Sequence, residues 1–182
     1  KNPLRTYSSN ICGSWTVLEA CRHLPEVKAV IIASSDKAYG NSIKLPYRED
    51  TPLSGRHPYD VSKSCADLIA QTYYYTYGLP VVVTRCGNIY GPGDFNLSRL
   101  VPDLIKSQIQ NDVFLIRSDG KFTRDYIYID DIVEGYLLLA EKMQKLKLFG
   151  NAFNFSNERP ISVLELVRII YRLNEKKPNY KI

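Results

Sequence analysis

Lys28-Ala29-Val30-Ile31-Ile32-Ala33-Ser34-Ser35-Asp36-Lys37 is the stretch from which the fold is read. Lys28 to Ala33 is a short, continuous apolar run, the pattern of a strand buried on both faces of a parallel sheet. Polar residues take over at Ser34, and a loop rich in Gly, Pro and polar residues is expected to run to Arg56. Upstream, Leu4, Tyr7, Ile11, Trp15, Leu18 and Cys21 recur at three- and four-residue steps, which predicts a helix from Pro3 to Arg22. Downstream, Pro58 suits the first position of a helix that runs to about Tyr77, and Gly78 is placed to end it. Pro80 to Thr84, with Val81, Val82 and Val83 in succession, is a second buried strand. Helix, strand, helix, strand with crossovers of this length predicts an α/β fold built on a partial, doubly wound parallel sheet.

After Gly91-Pro92-Gly93 the pattern changes. A helix is expected from about Arg99 to Gln110, an apolar piece at Val113 to Ile116, a strand at Tyr126 to Ile129, a helix from Asp130 to Lys142 and a strand at Ala152 to Phe155. Ser162 with Glu165 three residues on forms a capping-box pattern for a last helix, to about Leu173. The chain therefore divides into residues 1–91, carrying the sheet, and residues 92–182, a smaller mixed α/β lobe.

Composition narrows the function classes. With 45% hydrophobic residues in 182, the chain has enough apolar surface for a core, which excludes disorder. No apolar run approaches the roughly 20 residues of a membrane helix, and no membrane association is expected. Lys1-Asn2-Pro3 lacks the apolar core of a signal peptide and an initiating Met, so the chain is expected to start inside a larger protein. Cys12, Cys21, Cys65 and Cys86 show no Cys-x-x-Cys spacing, and His23 and His57 are isolated; no metal site or disulfide framework is expected, and free, mostly buried thiols fit a cytoplasmic protein. The net charge of +5 has two readings, solubility or attraction for an anionic ligand. Basic residues are dispersed with no aromatic-basic platform, which argues against nucleic acid.

In parallel sheets active residues collect at the carboxyl ends of the strands. Ser34-Ser35-Asp36-Lys37 and Arg85-Cys86-Gly87-Asn88 occupy those places. Tyr59 and Lys63, four apart, share one helix face. A phenol of pKa about 10 is a poor base at neutral pH, and a neighbouring ammonium favours its phenolate. Such a pair can take a proton from an alcohol while hydride leaves to a nicotinamide. Taken alone it is also an ordinary helix-surface contact, since chance supplies about one Tyr–Lys pair at this spacing. Ser35, Asp36 and Lys37 read either as hydroxyl donor, acid and base or as a solvated turn.

Four motifs in order decide between these readings. Ser-x-x-x-Tyr-Gly follows the first strand, then come His57-Pro58-Tyr59-Asp60-Val61-Ser62-Lys63, Arg85-Cys86-Gly87-Asn88-Ile89-Tyr90-Gly91-Pro92-Gly93 and Arg124-Asp125-Tyr126-Ile127-Tyr128-Ile129-Asp130-Asp131. Together they resemble the extended short-chain dehydrogenase/reductase family, the NAD-dependent epimerases and dehydratases of nucleotide sugars. The resemblance implies a Rossmann-like NAD-binding domain in residues 1–91, a nucleotide-sugar-binding lobe in 92–182, and motifs interleaved between them. It implies Tyr59 as base at the sugar C4 hydroxyl, Lys63 on the nicotinamide ribose, and Ser35 on the C4 oxygen. Ser34 and Arg85 fall beside the cofactor, Asn88 and Arg124 at the substrate diphosphate, and Arg99 with Leu100 at the nucleotide. Asn10 would support the active-site backbone or be merely a polar helix residue.

Asp36 and Lys37 bear on the subclass. Sugar 4,6-dehydratases of the family carry Asp-Glu here, with Asp the acid and Glu the base; this chain keeps the Asp and replaces Glu by Lys. Ser-Asp-Lys with a following Tyr resembles the CDP-glucose 4,6-dehydratase branch. An epimerase or reductase of the same family, or a non-catalytic nucleotide-sugar-binding fragment, is the alternative. No Gly-x-x-Gly-x-x-Gly is found, so a fragment lacking the family's amino-terminal phosphate loop, with weak NAD binding, is expected. Family members pair through two helices beside the sheet, and the helix carrying Tyr73, Tyr74 and Tyr75 suits a homodimer face, although those rings are equally candidates for the core.

Overall fold

The computed structural model describes residues 2–41 and 45–182; Lys1 and, within the expected loop, Ser42, Ile43 and Lys44 lie outside the described residues. The chain forms two compact units, Lys1–Gly87 with Asp131–Phe155, and Asn88–Asp130 with Ser156–Ile182. The chain leaves the first unit after Gly87, returns for Asp131–Phe155, and leaves again.

The first unit holds a three-stranded parallel sheet of β1 (Val30–Ser35), β2 (Val81–Cys86) and β7 (Ala152–Phe155), in the order β1-β2-β7. Val30 lies opposite Val81 and Ser35 opposite Cys86, while Val83 lies opposite Ala152. β1 thus runs two residues later than the apolar pattern suggested, and takes in Ser34 and Ser35, whose hydroxyls find partners at Lys63 O and the Asp36 carboxylate.

The upstream helix is α1 (Pro3–Tyr7), a π-helical segment (Ser8–Cys12) and α2 (Gly13–Arg22). Residue spacing alone cannot reveal the wider π turn, because the apolar face continues through it. α3 (Pro58–Tyr77) begins as expected with Pro at its first position and ends at Gly78, whose φ of 68° is the left-handed cap only glycine adopts without strain. Leu18, Val30, Ala70, Leu79, Val81 and Val83 form the core under α2 and α3, with Tyr73 and Tyr74 packed against it and Tyr75 exposed. The opposite sheet face buries Val82 against Leu139 and Met143, from and just beyond α5 (Ile129–Lys142). Helices on both faces make this a doubly wound layer structure.

The second unit has its own core of Leu104, Phe114, Ile116, Val167 and Tyr171 between α4 (Leu100–Gln110) and α6 (Val163–Leu173). Ser162 caps α6, its Oγ accepting from Glu165 N at 3.1 Å. Short strands pair here: β3 (Asn88–Tyr90) with β6 (Tyr126–Tyr128), β4 (Phe114–Leu115) with β9 (Tyr180–Lys181), and β5 (Thr123–Arg124) with β8 (Ile161–Ser162). Of the cysteines, only Cys86 is buried and the other three are half-buried, so the expectation of mostly buried thiols is corrected: Cys12, Cys21 and Cys65 lie on helix faces not fully covered. No helix among the described residues is long and apolar enough to cross a membrane.

Candidate active site

β1 ends in Ser34 and Ser35, and the chain then tightens into a four-residue 3₁₀ turn, Asp36–Tyr39. Ser35 Oγ donates to Asp36 Oδ1 at 3.0 Å and accepts from Lys37 N at 3.3 Å, capping the turn. Lys37 Nζ reaches Asp36 Oδ2 at 3.2 Å, with both side chains partly open to solvent. A hydroxyl, a carboxylate and an ammonium are thereby held together at the carboxyl end of a parallel strand.

α3 brings Tyr59 and Lys63 to the same strand end. Lys63 Nζ donates to Ala33 O at 2.8 Å and lies 5.9 Å from the centre of the Tyr59 ring. Burial pushes the Lys63 ammonium below its ordinary range, offset in part by the nearby Cys86. Ser34 Oγ donates to Lys63 O at 3.3 Å, so its hydroxyl ties β1 to α3. Asn10, in the π-helical segment, donates from Nδ2 to Ser62 Oγ at 2.9 Å, and Ser62 Oγ in turn donates to Tyr59 O at 2.7 Å. A side chain 49 positions earlier in the chain is thereby coupled to the backbone of Tyr59.

Arg85 is not brought to this group. Its side chain is 4 % exposed and points into the space under α3, where Nε and Nη2 grip both oxygens of buried Asp67 at 2.8 and 3.0 Å. Nη1 donates to Tyr39 Oη and to Glu49 O, each at 2.8 Å. Burial alone would lower the Arg85 pKa; the bonds to Asp67 and Tyr39 more than offset it and leave it raised. Strand alternation explains the direction: Val81, Val83 and Arg85 share the α3 face of β2, while Val82, Thr84 and Cys86 face α5.

The remaining expected residues lie in the second unit. Asn88 donates from both N and Nδ2 to Asp125 O, at 2.9 and 3.1 Å. Arg99 precedes α4, with Leu100 opening the helix, and Nη1 of Arg99 pairs with Asp94 Oδ2 at 3.0 Å. Arg124 is exposed, its guanidinium 5.7 Å above the Phe122 ring. A cavity of about 760 Å³ opens in this unit, lined by Tyr90, Tyr126, Asn157 and Arg159 and by aliphatic side chains such as Val101 and Ile170. That is a volume suited to a small-molecule ligand. None of the four expected residues lines it. Tyr90 and Tyr126 were within reach of the sequence, each two positions beyond an expected residue on a strand; Asn157 and Arg159, in the connection after β7, carry no local signal.

A sequence model described as the NAD dependent epimerase/dehydratase family matches residues 1–154. The chain is 32% identical over 185 residues to a dTDP-D-glucose 4,6-dehydratase of Dictyostelium discoideum, covering 96% of this chain and 41% of the relative. It is 32% identical over 166 residues to a CDP-glucose 4,6-dehydratase of Salmonella typhimurium, covering 85% and 46%. The crystal structure of a dTDP-glucose 4,6-dehydratase from Bacillus anthracis in complex with NAD superposes with a TM-score of 0.89 at 30% identity, covering 99% of this chain and 57% of that one. The chain belongs to the NAD dependent epimerase/dehydratase family and has its Rossmann-type α/β fold. It spans less than half the length of the curated relatives named here.

Proposed function

We propose that the chain carries the catalytic strand, helix and nucleotide-sugar lobe of an NAD-dependent nucleotide-sugar 4,6-dehydratase, of the CDP-glucose type. The observation that carries this reading is the Ser35–Asp36–Lys37 cluster at the end of β1, set beside the Tyr59–Lys63 pair. An enzyme that only oxidises and re-reduces C4 needs the tyrosine and lysine; removal of water also needs an acid for the leaving oxygen and a base for the C5 proton.

The residues present fit the nicotinamide-ribose end of the cofactor. Lys63 has three N–H bonds, of which Ala33 O takes one, leaving donors for ribose hydroxyls. NAD, when bound, supplies the hydride acceptor and later the hydride donor. Tyr59 takes the proton from O4, and the Lys63 ammonium stabilises the phenolate that forms. Ser35 orients the C4 oxygen. The 4-ketone acidifies the C5 proton, which passes to Lys37, while Asp36 protonates the departing O6. For this step to balance, the proton that Lys37 shares with Asp36 across their 3.2 Å contact passes to Asp36 first; Lys37 then takes the C5 proton, and Asp36 gives its proton to O6, which leaves as water. In the second unit Asn88, Arg99, Leu100 and Arg124 are assigned to the nucleotide and diphosphate, where a guanidinium fork suits phosphate oxygens; Tyr90, Tyr126, Asn157 and Arg159 add a cavity of about 760 Å³. The expected product is a 4-keto-6-deoxy sugar.

The test is mass spectrometry of CDP-, dTDP- and UDP-glucose after incubation with NAD and the protein, alone and joined to the glycine-rich amino-terminal half of a 4,6-dehydratase. Loss of one water from the CDP sugar, abolished by Asp36→Asn, is the expected result. Absence of water loss from every sugar with NAD bound overturns the dehydratase reading in favour of an epimerase or reductase of the family.

A further inference from the structure

A buried ion pair is a poor device for stability, because desolvating two charges costs about as much as their attraction returns. Asp67 is fully buried and Arg85 nearly so. Their surroundings suggest another use. The same guanidinium that grips Asp67 on α3 donates to Tyr39 Oη at 2.8 Å, and its carbon lies 5.0 Å from the Tyr39 ring centre. Tyr39 Oη donates onward to Asn154 Oδ1 of β7 at 2.7 Å. Asn154 in turn donates from Nδ2 to Tyr47 O and from N to Glu49 Oε1, at 3.1 and 3.0 Å, and Tyr47 stacks on Tyr39 at 4.8 Å. Four parts of the first unit meet at one phenol, β2, β7, the 45–56 segment and the 3₁₀ turn, and α3 joins them through Asp67 and Arg85.

Tyr39 is the last residue of the turn that carries Asp36 and Lys37, and it is 1 % exposed. A four-residue 3₁₀ turn has poor internal hydrogen-bond geometry and holds its shape through outside contacts. Those contacts gather at its far end: Ser64 Oγ donates to Ala38 O at 2.9 Å, Ser54 Oγ to Tyr39 O at 2.8 Å, and the knot holds the ring. Tyr59 and Lys63 are tied in addition at Ala33 O and through the Asn10–Ser62 relay, while Ser64, the next residue of α3, joins their helix to the turn at Ala38 O.

We propose that Tyr39, locked by Arg85 and Asn154, is a positioning residue that sets the Asp36–Lys37 turn separately from the Tyr59–Lys63 pair. The cluster is then held by two mountings, one for proton and hydride removal at C4 and one for loss of water. This assignment of roles rests on the dehydratase reading; the positioning of the turn by Tyr39 does not.

Tyr39→Phe tests it, since the ring, the stack and the Arg85–Asp67 pair remain while the hydroxyl bridge goes. Hydrogen–deuterium exchange on the protein is expected to rise roughly tenfold or more in peptides covering residues 36–41, with those covering 59–63 unchanged. Unchanged exchange at 36–41, or an equal rise in both, overturns the proposal. In the NAD-loaded protein of the mass-spectrometric test, the variant is expected to lose water at least about tenfold more slowly, while absorbance of reduced nicotinamide still appears at the wild-type rate. Proportional loss of both signals overturns the separation of roles. A wild type that releases no water sinks the dehydratase reading alone, and the exchange comparison still decides the mounting.

Discussion

β1 and β2 each run six residues and open on three aliphatic side chains, Val-Ile-Ile-Ala-Ser-Ser and Val-Val-Val-Thr-Arg-Cys, yet their burial differs. Every residue of β2 is buried, including Thr84 and Arg85, whereas β1 leaves Ile31 and Ile32 half-buried and Ala33 exposed. The strand with more polar chemistry is the better buried. Position explains it: β2 is central between β1 and β7, while β1 is an edge among the described residues. A central strand can bury polar groups because both flanking layers supply partners, here Asp67 of α3 for Arg85 and Tyr136 of α5 for Thr84.

The largest expected effect comes from breaking the β2 side of that comparison. Asp67→Ala leaves the Arg85 guanidinium buried without its carboxylate and should cost about 3–5 kcal/mol in urea unfolding. Replacing both, Asp67→Leu with Arg85→Met, should recover most of that loss, because the desolvation of both charges disappears together. A single variant costing under about 1 kcal/mol would mean that water reaches the pair and that β2 is not the dry strand described.

A smaller effect sharpens the contrast directly. Val82→Ala removes side-chain carbon from a fully buried site in β2 and should lower stability by about 2 kcal/mol. Ile32→Ala in β1 removes more carbon from a half-covered site and should cost only about 1 kcal/mol. Unfolding midpoints at unchanged denaturant slope measure both. Equal losses per carbon removed would show that the β1 edge is covered in solution, for instance by a second copy of the chain.

The same contrast explains what was legible in the sequence. Apolar runs located both strands but ended each two residues short, at Ala33 rather than Ser35 and at Thr84 rather than Cys86, because the apolar pattern stops there and the ladder does not. Ser34 and Ser35 stay in the strand because they pair with Arg85 and Cys86 of β2, and no local rule sees partners that far away. α3 was legible almost to the residue, since its proline, its period and its terminal glycine are local signals. Tyr59 and Lys63 were readable for the same reason. The inward turn of Arg85 was not, because it depends on Asp67, Tyr39 and Glu49, which only the fold assembles. Asn157 and Arg159 escaped for a related reason, being brought to the second unit's cavity by a connection without periodicity.

The smallest effect concerns the α5 face of β2. Thr84 Oγ1 and Tyr136 Oη lie 2.6 Å apart, and Cys86 Sγ is 3.8 Å from the same phenol. Tyr136→Phe should cost about 1 kcal/mol at neutral pH, the value of one hydrogen bond. Its clearer signature lies at alkaline pH. Burial pushes the Tyr136 phenol up to about 12, offset only in part by Thr84. An unfolded tyrosine titrates at about 10, so below that pH both states hold the proton and the group contributes no slope. Between about 10 and about 12 the unfolded chain gives up the proton more readily than the folded one, and each step upward favours unfolding. Stability that the protonated phenol supports is thus complete below about pH 10 and lost as pH climbs towards 12. Tyr39 and Tyr126, also raised by burial, add to the same alkaline slope, so the variant should flatten it without abolishing it. Urea midpoints measured across this window for wild type and Tyr136→Phe give the comparison. Parallel curves would mean that the phenol ionises as easily in the folded protein as in the unfolded chain, and that the α5 face of β2 admits water where the α3 face does not.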